Sequence, residues 1–162
     1  MQPPVLERNL ETLELMARAE ETVQRLYATC AVLWKENEDF WRGLAGEERR
    51  HVTHIRSMIA MITANPGRFQ PGRPFSAAAL KTFIDGIERD IDRVQQAGVP
   101  ELKALRLALD IEQAIIEARF TDIVQTEDPV FRSLAGEIAH DTVSHRRLVE
   151  RKITERQSAD GR

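Results

Sequence analysis

The stretch Trp41-Arg42-Gly43-Leu44-Ala45-Gly46-Glu47-Glu48-Arg49-Arg50-His51-Val52-Thr53-His54-Ile55-Arg56-Ser57-Met58-Ile59-Ala60-Met61-Ile62 decides how this chain is read. Trp41, Leu44, Glu48, His51, Ile55, Met58 and Ile62 recur at alternating steps of three and four, the spacing of one helix face turned to a core. Glu48 and His51 interrupt an otherwise apolar stripe. An unpaired carboxylate buried on such a stripe costs several kcal/mol, so this face predicts a partner for the charge.

The same conflict recurs in three other segments. Segment one, from about Val5 to Lys35, carries the stripe Leu6, Leu10, Leu13, Ala17, Glu20, Gln24, Tyr27, Ala31, Trp34. Segment three, Glu101 to about Gln125, turns Leu102, Leu105, Leu109, Glu112, Ile116 and Ile123 inward. Segment four, about 129–156, turns Phe131, Leu134, Ile138, Asp141, His145 and Leu148 inward, with Asp128-Pro129 as N-cap and first-turn pair. Between segment two (about 39–63) and segment three lies a loop rich in proline and glycine. An additional helix over about 76–97 follows, capped by Ser76 and stopped by Gly98. Residues 157–162 read as a frayed polar tail.

The chain is therefore expected to be all-α, one domain over 1–156, built as two helical hairpins joined by a long connection with its own helix. At about 1.5 Å per residue, that helix travels most of a bundle's length, so segments two and three lie parallel. Strand signals are absent. Apolar residues off the main seam of segment one (Met16, Val23, Leu26, Cys30, Leu33) either cover the connecting helix or make a homodimer.

Glu20, Glu48, His51, Glu112, Asp141 and His145 form the candidate metal-ligand set. In antiparallel hairpins, helix midpoints meet at one level. Glu20 lies about sixteen residues before the first turn and His51 about fourteen after it; Glu112 and Asp141 flank the second turn by about fifteen and fourteen. Glu48 and His51, three apart, share a face, as do Asp141 and His145, four apart. Carboxylates with imidazoles suit iron or manganese, and a chain with one cysteine holds no cysteine-only zinc site. The bland alternatives are a hydrogen-bonded core histidine, and a glutamate paired with an arginine such as Arg119. His54 and His140 read as surface, Glu47 as adjacent to the seam, and Glu117 as facing elsewhere.

The halves also read as a degenerate repeat. Leu13–Glu20 aligns with Leu105–Glu112, placing Glu20 on Glu112, and Leu44-Ala45-Gly46-Glu47 recurs as Leu134-Ala135-Gly136-Glu137. The ungapped register sets His51 on Asp141. A gapped one sets His51 on His145 and Glu48 on Thr142.

The run Leu44-Ala45-Gly46-Glu47-Glu48-Arg49-Arg50-His51, with Glu20 followed seven residues later by Tyr27, resembles the rubrerythrin-like branch of the ferritin-like superfamily over most of the chain. The resemblance implies a ferritin-like four-helix bundle and a di-iron carboxylate site, with two iron ions held by Glu20, Glu48, His51 and Glu112. The fourth helix departs from the family pattern. Where a second Glu-x-x-His belongs, Thr142 stands before His145, and Asp141, one methylene shorter than Glu, offers a replacement. Position 115 is Ile, not a second carboxylate after Glu112. The four-cysteine rubredoxin-like module is missing, so electrons would come from an external redox partner.

These features predict a non-haem di-iron protein oxidising Fe(II) with O2 or peroxide, in oxidative-stress or iron handling. The alternatives are metal binding or storage without turnover, and a metal-free scaffold bundle. An organic-substrate hydroxylase would need a substrate channel that sequence does not show. A net charge of −3 and isolated Arg pairs argue against nucleic acid. No apolar run is long enough to span a membrane, and Met1-Gln2-Pro3-Pro4 leads straight into a charged helical pattern, so a cytoplasmic location is expected.

Overall fold

The computed structural model describes residues 4–161, with side chains for 6–119 and 121–161; Arg162 of the expected tail lies outside them. Five helices account for most of the chain: α1 (Pro4–Leu33), α2 (Glu38–Ala64), α3 (Ala77–Val94), α4 (Glu101–Ala118) and α5 (Pro129–Asp160). Two caps match the sequence reading. The Ser76 side chain accepts from the Ala79 amide at 3.2 Å, and Asp128 accepts from the Val130 and Phe131 amides at 3.0 Å, with Pro129 opening α5.

Cross-helix pairs fix the helix directions. Tyr27 meets Trp41 at a ring distance of 5.8 Å, and Glu21 meets Arg56 at 2.6 Å, so α1 and α2 run antiparallel. His54–Glu137 and Glu48–His145 make α2 and α5 antiparallel. Glu101–Arg156 and Gln113–Arg146 do the same for α4 and α5. It follows that α2 and α4 point the same way, and the 65–100 connection must travel the length of the bundle to join them.

Part of that connection is α3, whose buried face is Leu80, Ile84, Ile87 and Val94. It packs on α1, and Met16, Val23, Leu26 and Cys30 are buried. The wide apolar face of α1 therefore covers the connecting helix; only Leu33 of that group is exposed.

Three expectations need correction. First, α4 stops at Ala118, not near Gln125. Arg119 turns left-handed (φ 51°), and the β-branched Thr121, Ile123 and Val124 follow, poor helix continuers. Second, a short strand pair exists: Gln70–Pro71 (β1) pairs antiparallel with Val124–Gln125 (β2). The two segments approach so closely beside the ladder that a Cβ at Gly72 would sit 2.3 Å from the Asp122 carbonyl oxygen, which only glycine allows. Third, α5 continues through Asp160, so residues 157–160 are helical rather than frayed.

Two inward stripes also shift. In α4 the buried positions are Glu101, Ala104, Leu105, Ala108, Ile111, Glu112 and Ile115, while Leu102, Leu109 and Ile116 are only half-buried. In α5 they are Phe131, Ala135, Ile138, Thr142, His145 and Val149, again at alternating steps of four and three; Leu148 is exposed. Small residues, not the larger leucines beside them, face the core where helices approach.

Candidate metal centre

The middle of the bundle is polar. Glu20 from α1, Glu48 and His51 from α2, Glu112 from α4 and His145 from α5 converge there, none more than 2% exposed. They form two groups, Glu20–Glu48–His51 and Glu48–Glu112–His145, and the potential ligand atoms of each lie within 4.8 Å of one another. Glu48 belongs to both. Its Oε2 is 3.1 Å from His51 Nδ1, and its Oε1 is 3.0 Å from His145 Nδ1. Glu20 Oε1 and Glu112 Oε1 each stand 3.7 Å from the Nδ1 of their own histidine. The two imidazoles stack, with centroids 5.4 Å apart and planes at 22°. The gapped repeat register, Glu20 with His51 set against Glu112 with His145, is the one this arrangement follows.

Helical spacing produces this convergence. Glu48 and His51 lie one turn apart on the buried stripe of α2, and Glu112 lies on the buried stripe of α4. Because neighbouring helices are antiparallel, their midpoints coincide.

Many of these atoms lack hydrogen-bond partners. Glu20 Oε2, Glu48 Oε1, Glu112 Oε2 and both ring nitrogens of His145 have none. His145 Nδ1 is close to Glu48 Oε1 but at angles that make no hydrogen bond. Buried polar atoms are nearly always satisfied in folded proteins, so a cluster of five orphans requires an explanation. Each group could hold a metal ion: the donor set is oxygen and imidazole nitrogen, the chemistry that suits iron and manganese.

Three groups lie above their ordinary values, for different reasons. Burial, with Glu48 next to it, raises the Glu20 carboxyl to about 8. For His51, burial favours the neutral ring, but the Glu20 and Glu48 carboxylates outweigh it and lift the imidazole to about 11. His145 follows the same pattern with Glu112 and Glu48, rising to about 10. At neutral pH the metal-free centre thus holds a carboxyl proton on Glu20 and a second proton on each imidazole.

Around these five residues lies a supporting layer. The Tyr27 hydroxyl, fully buried, donates to Glu112 Oε1 at 2.6 Å. Burial and then the Glu112 charge raise its phenol well above the ordinary value, so it stays a donor. The structure places Asp141 outside both groups. It lies on the far side of His51, with Oδ2 at 3.4 Å from Nε2, and it is ion-paired to Arg50. Burial alone would raise its carboxyl; Arg50 and His51 outweigh that and hold it below the usual range. The position inside the seam belongs to Thr142, whose hydroxyl donates to the Ile138 carbonyl at 2.8 Å. Asp141 is thus a partner of a ligand-set histidine, in the manner of the outer groups that orient metal-bound imidazoles.

The remaining candidates sit elsewhere. Arg119 pairs with Asp122 at 2.8 Å rather than with Glu112 or Glu20. Glu47 binds Arg50, His54 binds Glu137, and exposed Glu117 accepts from Gln113. Cys30 is buried, and burial pushes its thiol up to about 12. Sequence reasoning passed over Glu101, which is only 2% exposed and binds Asn37, Trp41 and Arg156. Its place in the first turn of a helix, a usual site for acidic residues, hid its burial.

No family model matches the chain, and no curated protein or solved structure matches it. Among the described residues, no helix is long and apolar enough to cross a membrane.

Proposed function

We propose that this chain is a non-haem di-iron carboxylate protein of rubrerythrin-like type, on a ferritin-like bundle, that oxidises Fe(II) with O2 or peroxide. The observation that carries the reading is the pair of Glu/His groups sharing Glu48, with unpartnered oxygen and nitrogen atoms sealed inside the bundle. Bound iron would supply one-electron redox chemistry towards the oxidant, and an external redox partner would return the electrons.

The chain's own residues divide the work. Glu48 spans both positions. Glu20 with His51 and Glu112 with His145 complete the two halves. Tyr27 holds one oxygen of Glu112, leaving the other free to ligate. Asp141 accepts a hydrogen bond from Nε2–H of His51, so that Nδ1 faces Glu20 and Glu48. Burial excludes bulk water, which strengthens the pull of three carboxylates on cations and limits side reactions of reactive oxygen species.

A second reading, metal binding or storage without turnover, draws support from Asp141. With that carboxylate turned to Arg50, the centre offers three carboxylates rather than four. Anaerobic loading with Fe(II), followed by elemental counting and a peroxide-consumption assay, separates the two. About two iron ions per chain with peroxide consumed supports the oxidase reading. Bound iron with no consumption beyond free Fe(II) supports storage, and no bound metal defeats both.

A further inference from the structure

The chain has one tyrosine and two tryptophans, and all three stand in a single file that begins at the centre. The Tyr27 hydroxyl donates to Glu112 Oε1 at 2.6 Å. The Tyr27 ring lies 5.8 Å from that of Trp41, and the Trp41 ring 6.5 Å from that of Trp34, centroid to centroid. Both are separations of rings in contact. Tyr27 and Trp41 are fully buried, whereas Trp34 is half-buried, between exposed Leu33 and exposed Lys35. The file therefore runs from the polar middle of the bundle to solvent at one end. At the opposite end the aromatic contact is Phe69 on Phe131, rings that fill space but are hard to oxidise. Trp41 also differs from a packing residue in its partner. Its Nε1–H donates to the carboxylate of Glu101 at 2.8 Å, a charge-assisted bond that strengthens when the indole turns positive and so lowers the cost of removing an electron there.

We propose that Tyr27, Trp41 and Trp34 form an electron relay between the Glu/His centre and the end of the bundle, where an external one-electron reductant meets it at Trp34. The use of the relay rests on the redox reading given above; the file itself consists only of the chain's own side chains. A sealed centre needs such a path, because none of its five residues is more than 2% exposed and no reductant can touch them. Each step moves one electron. An oxidising equivalent at the centre draws an electron from Tyr27, whose hydroxyl proton passes to Glu112 Oε1 along the existing hydrogen bond. Trp41 refills Tyr27 as that proton returns, and Trp34 refills Trp41. The reductant refills Trp34 and is itself oxidised by one electron, so no side chain is left changed.

The same path run inward is testable on the full, metal-free chain. The probe is tris(bipyridine)ruthenium(III), made by a laser flash with a cobalt(III) ammine as electron acceptor. It takes one electron from a ring it can reach and returns to ruthenium(II). Tyr27 is the sole tyrosine and fully buried, so a tyrosyl radical reports a hole that arrived through the protein. Transient absorption and freeze-quench electron paramagnetic resonance tell the two radical types apart. The expected result is a tryptophanyl radical first, with the tyrosyl radical growing in as it decays. Trp34→Phe, at a half-buried position, should cut the tyrosyl yield about tenfold with circular dichroism unchanged. Tyr27→Phe should leave the hole on tryptophan and lengthen its life about tenfold. No tyrosyl radical in the unsubstituted chain, or an undiminished yield in folded Trp34→Phe, overturns the relay. Iron counting after anaerobic loading is a separate readout. About two ions with no tyrosyl radical overturns the relay and leaves the metal centre standing. No bound metal, with a tyrosyl radical that Trp34→Phe removes, supports the relay as a path to Glu112 and defeats the metal reading.

Discussion

Glu101 and Glu48 are both glutamates sealed from solvent, at 2% and 1% exposure, and their surroundings are opposite. Glu101 stands at the end of the bundle among donors: Asn37 Nδ2 at 2.8 Å, Trp41 Nε1 at 2.8 Å and Arg156 Nε at 3.1 Å. Its charge is repaid by the chain itself, and it ties α4 to α5 and to the start of α2. Glu48 stands at mid-height, facing two histidines and two further carboxylates, with Oε1 unpartnered. A buried carboxylate surrounded by donors is structure. Carboxylates gathered around shared histidines, with oxygens left unpartnered, are an arrangement that could hold a metal ion.

The sharpest way to break this contrast is Glu48→Ala. Both half-sites share this residue, so metal content should fall from about two ions per chain to fewer than one, by elemental analysis. Glu20→Ala and Glu112→Ala should each cost about one ion. Glu20→Ala should not destabilise the metal-free chain as a normal core deletion does, since it removes a crowded acid. Glu48→Ala and Glu112→Ala should destabilise it, because the first takes the shared counter-charge from two imidazoles and the second takes the acceptor from the Tyr27 hydroxyl. A large stability loss in metal-free Glu20→Ala would contradict this.

Glu101→Ala should do the reverse. Metal content stays unchanged, while stability falls by about 2–4 kcal/mol, because the buried Trp41 Nε1 loses its acceptor and Arg156 its partner. Urea unfolding reads the loss, and a metal-dependent loss would blur the two roles.

Proton linkage gives a third test. Glu20, His51 and His145 all have folded values above their ordinary 4.5 and 6.5, at about 8, 11 and 10. A raised value contributes stability that is fully present below the ordinary value and is lost as pH rises through the folded one. All three therefore act in one direction: the metal-free chain should weaken from about pH 4.5 to about pH 11. Metal competes with those protons, so loading at pH 7 should release about three per chain and affinity should rise with pH. A pH-stat titration that finds no release would refute the assignment.

The smallest effect is expected at Asp141. Asp141→Asn keeps a polar neighbour for His51 but removes its charge, and metal affinity should drop on the order of 10-fold with ion count retained at saturation. Loss of a whole ion would instead make Asp141 a direct ligand.

The sequence made α2 fully legible. Every position of its stripe from Trp41 to Ile62 is buried, because large apolar residues and a single heptad phase leave no competing face. On α5 two phases compete. Leu134, Asp141 and Leu148 look inward by size and spacing, yet Ala135, Thr142 and Val149 occupy the seam. Size misleads where helices pack closely, since small residues fill the narrowest contacts. The larger-residue phase turns Asp141 inward, whereas the observed phase sets it beside Arg50 and puts Thr142 in the seam. The α4 terminus and the strand pair were not legible either. They depend on contacts between residues about fifty positions apart, Gln70 with Gln125 and Gly72 with Ile123. Glu20, Glu48, His51, Glu112 and His145 were legible individually as polar breaks in apolar stripes, and their convergence followed from helix midpoints meeting in antiparallel hairpins.

The most direct measurement is the number of iron ions per chain after anaerobic Fe(II) loading of untagged protein at about pH 7 and removal of free metal. Two half-sites sharing Glu48 predict about two. A count indistinguishable from zero, with manganese loading equally empty, would contradict the account and leave the polar centre as a self-contained network of protonated groups.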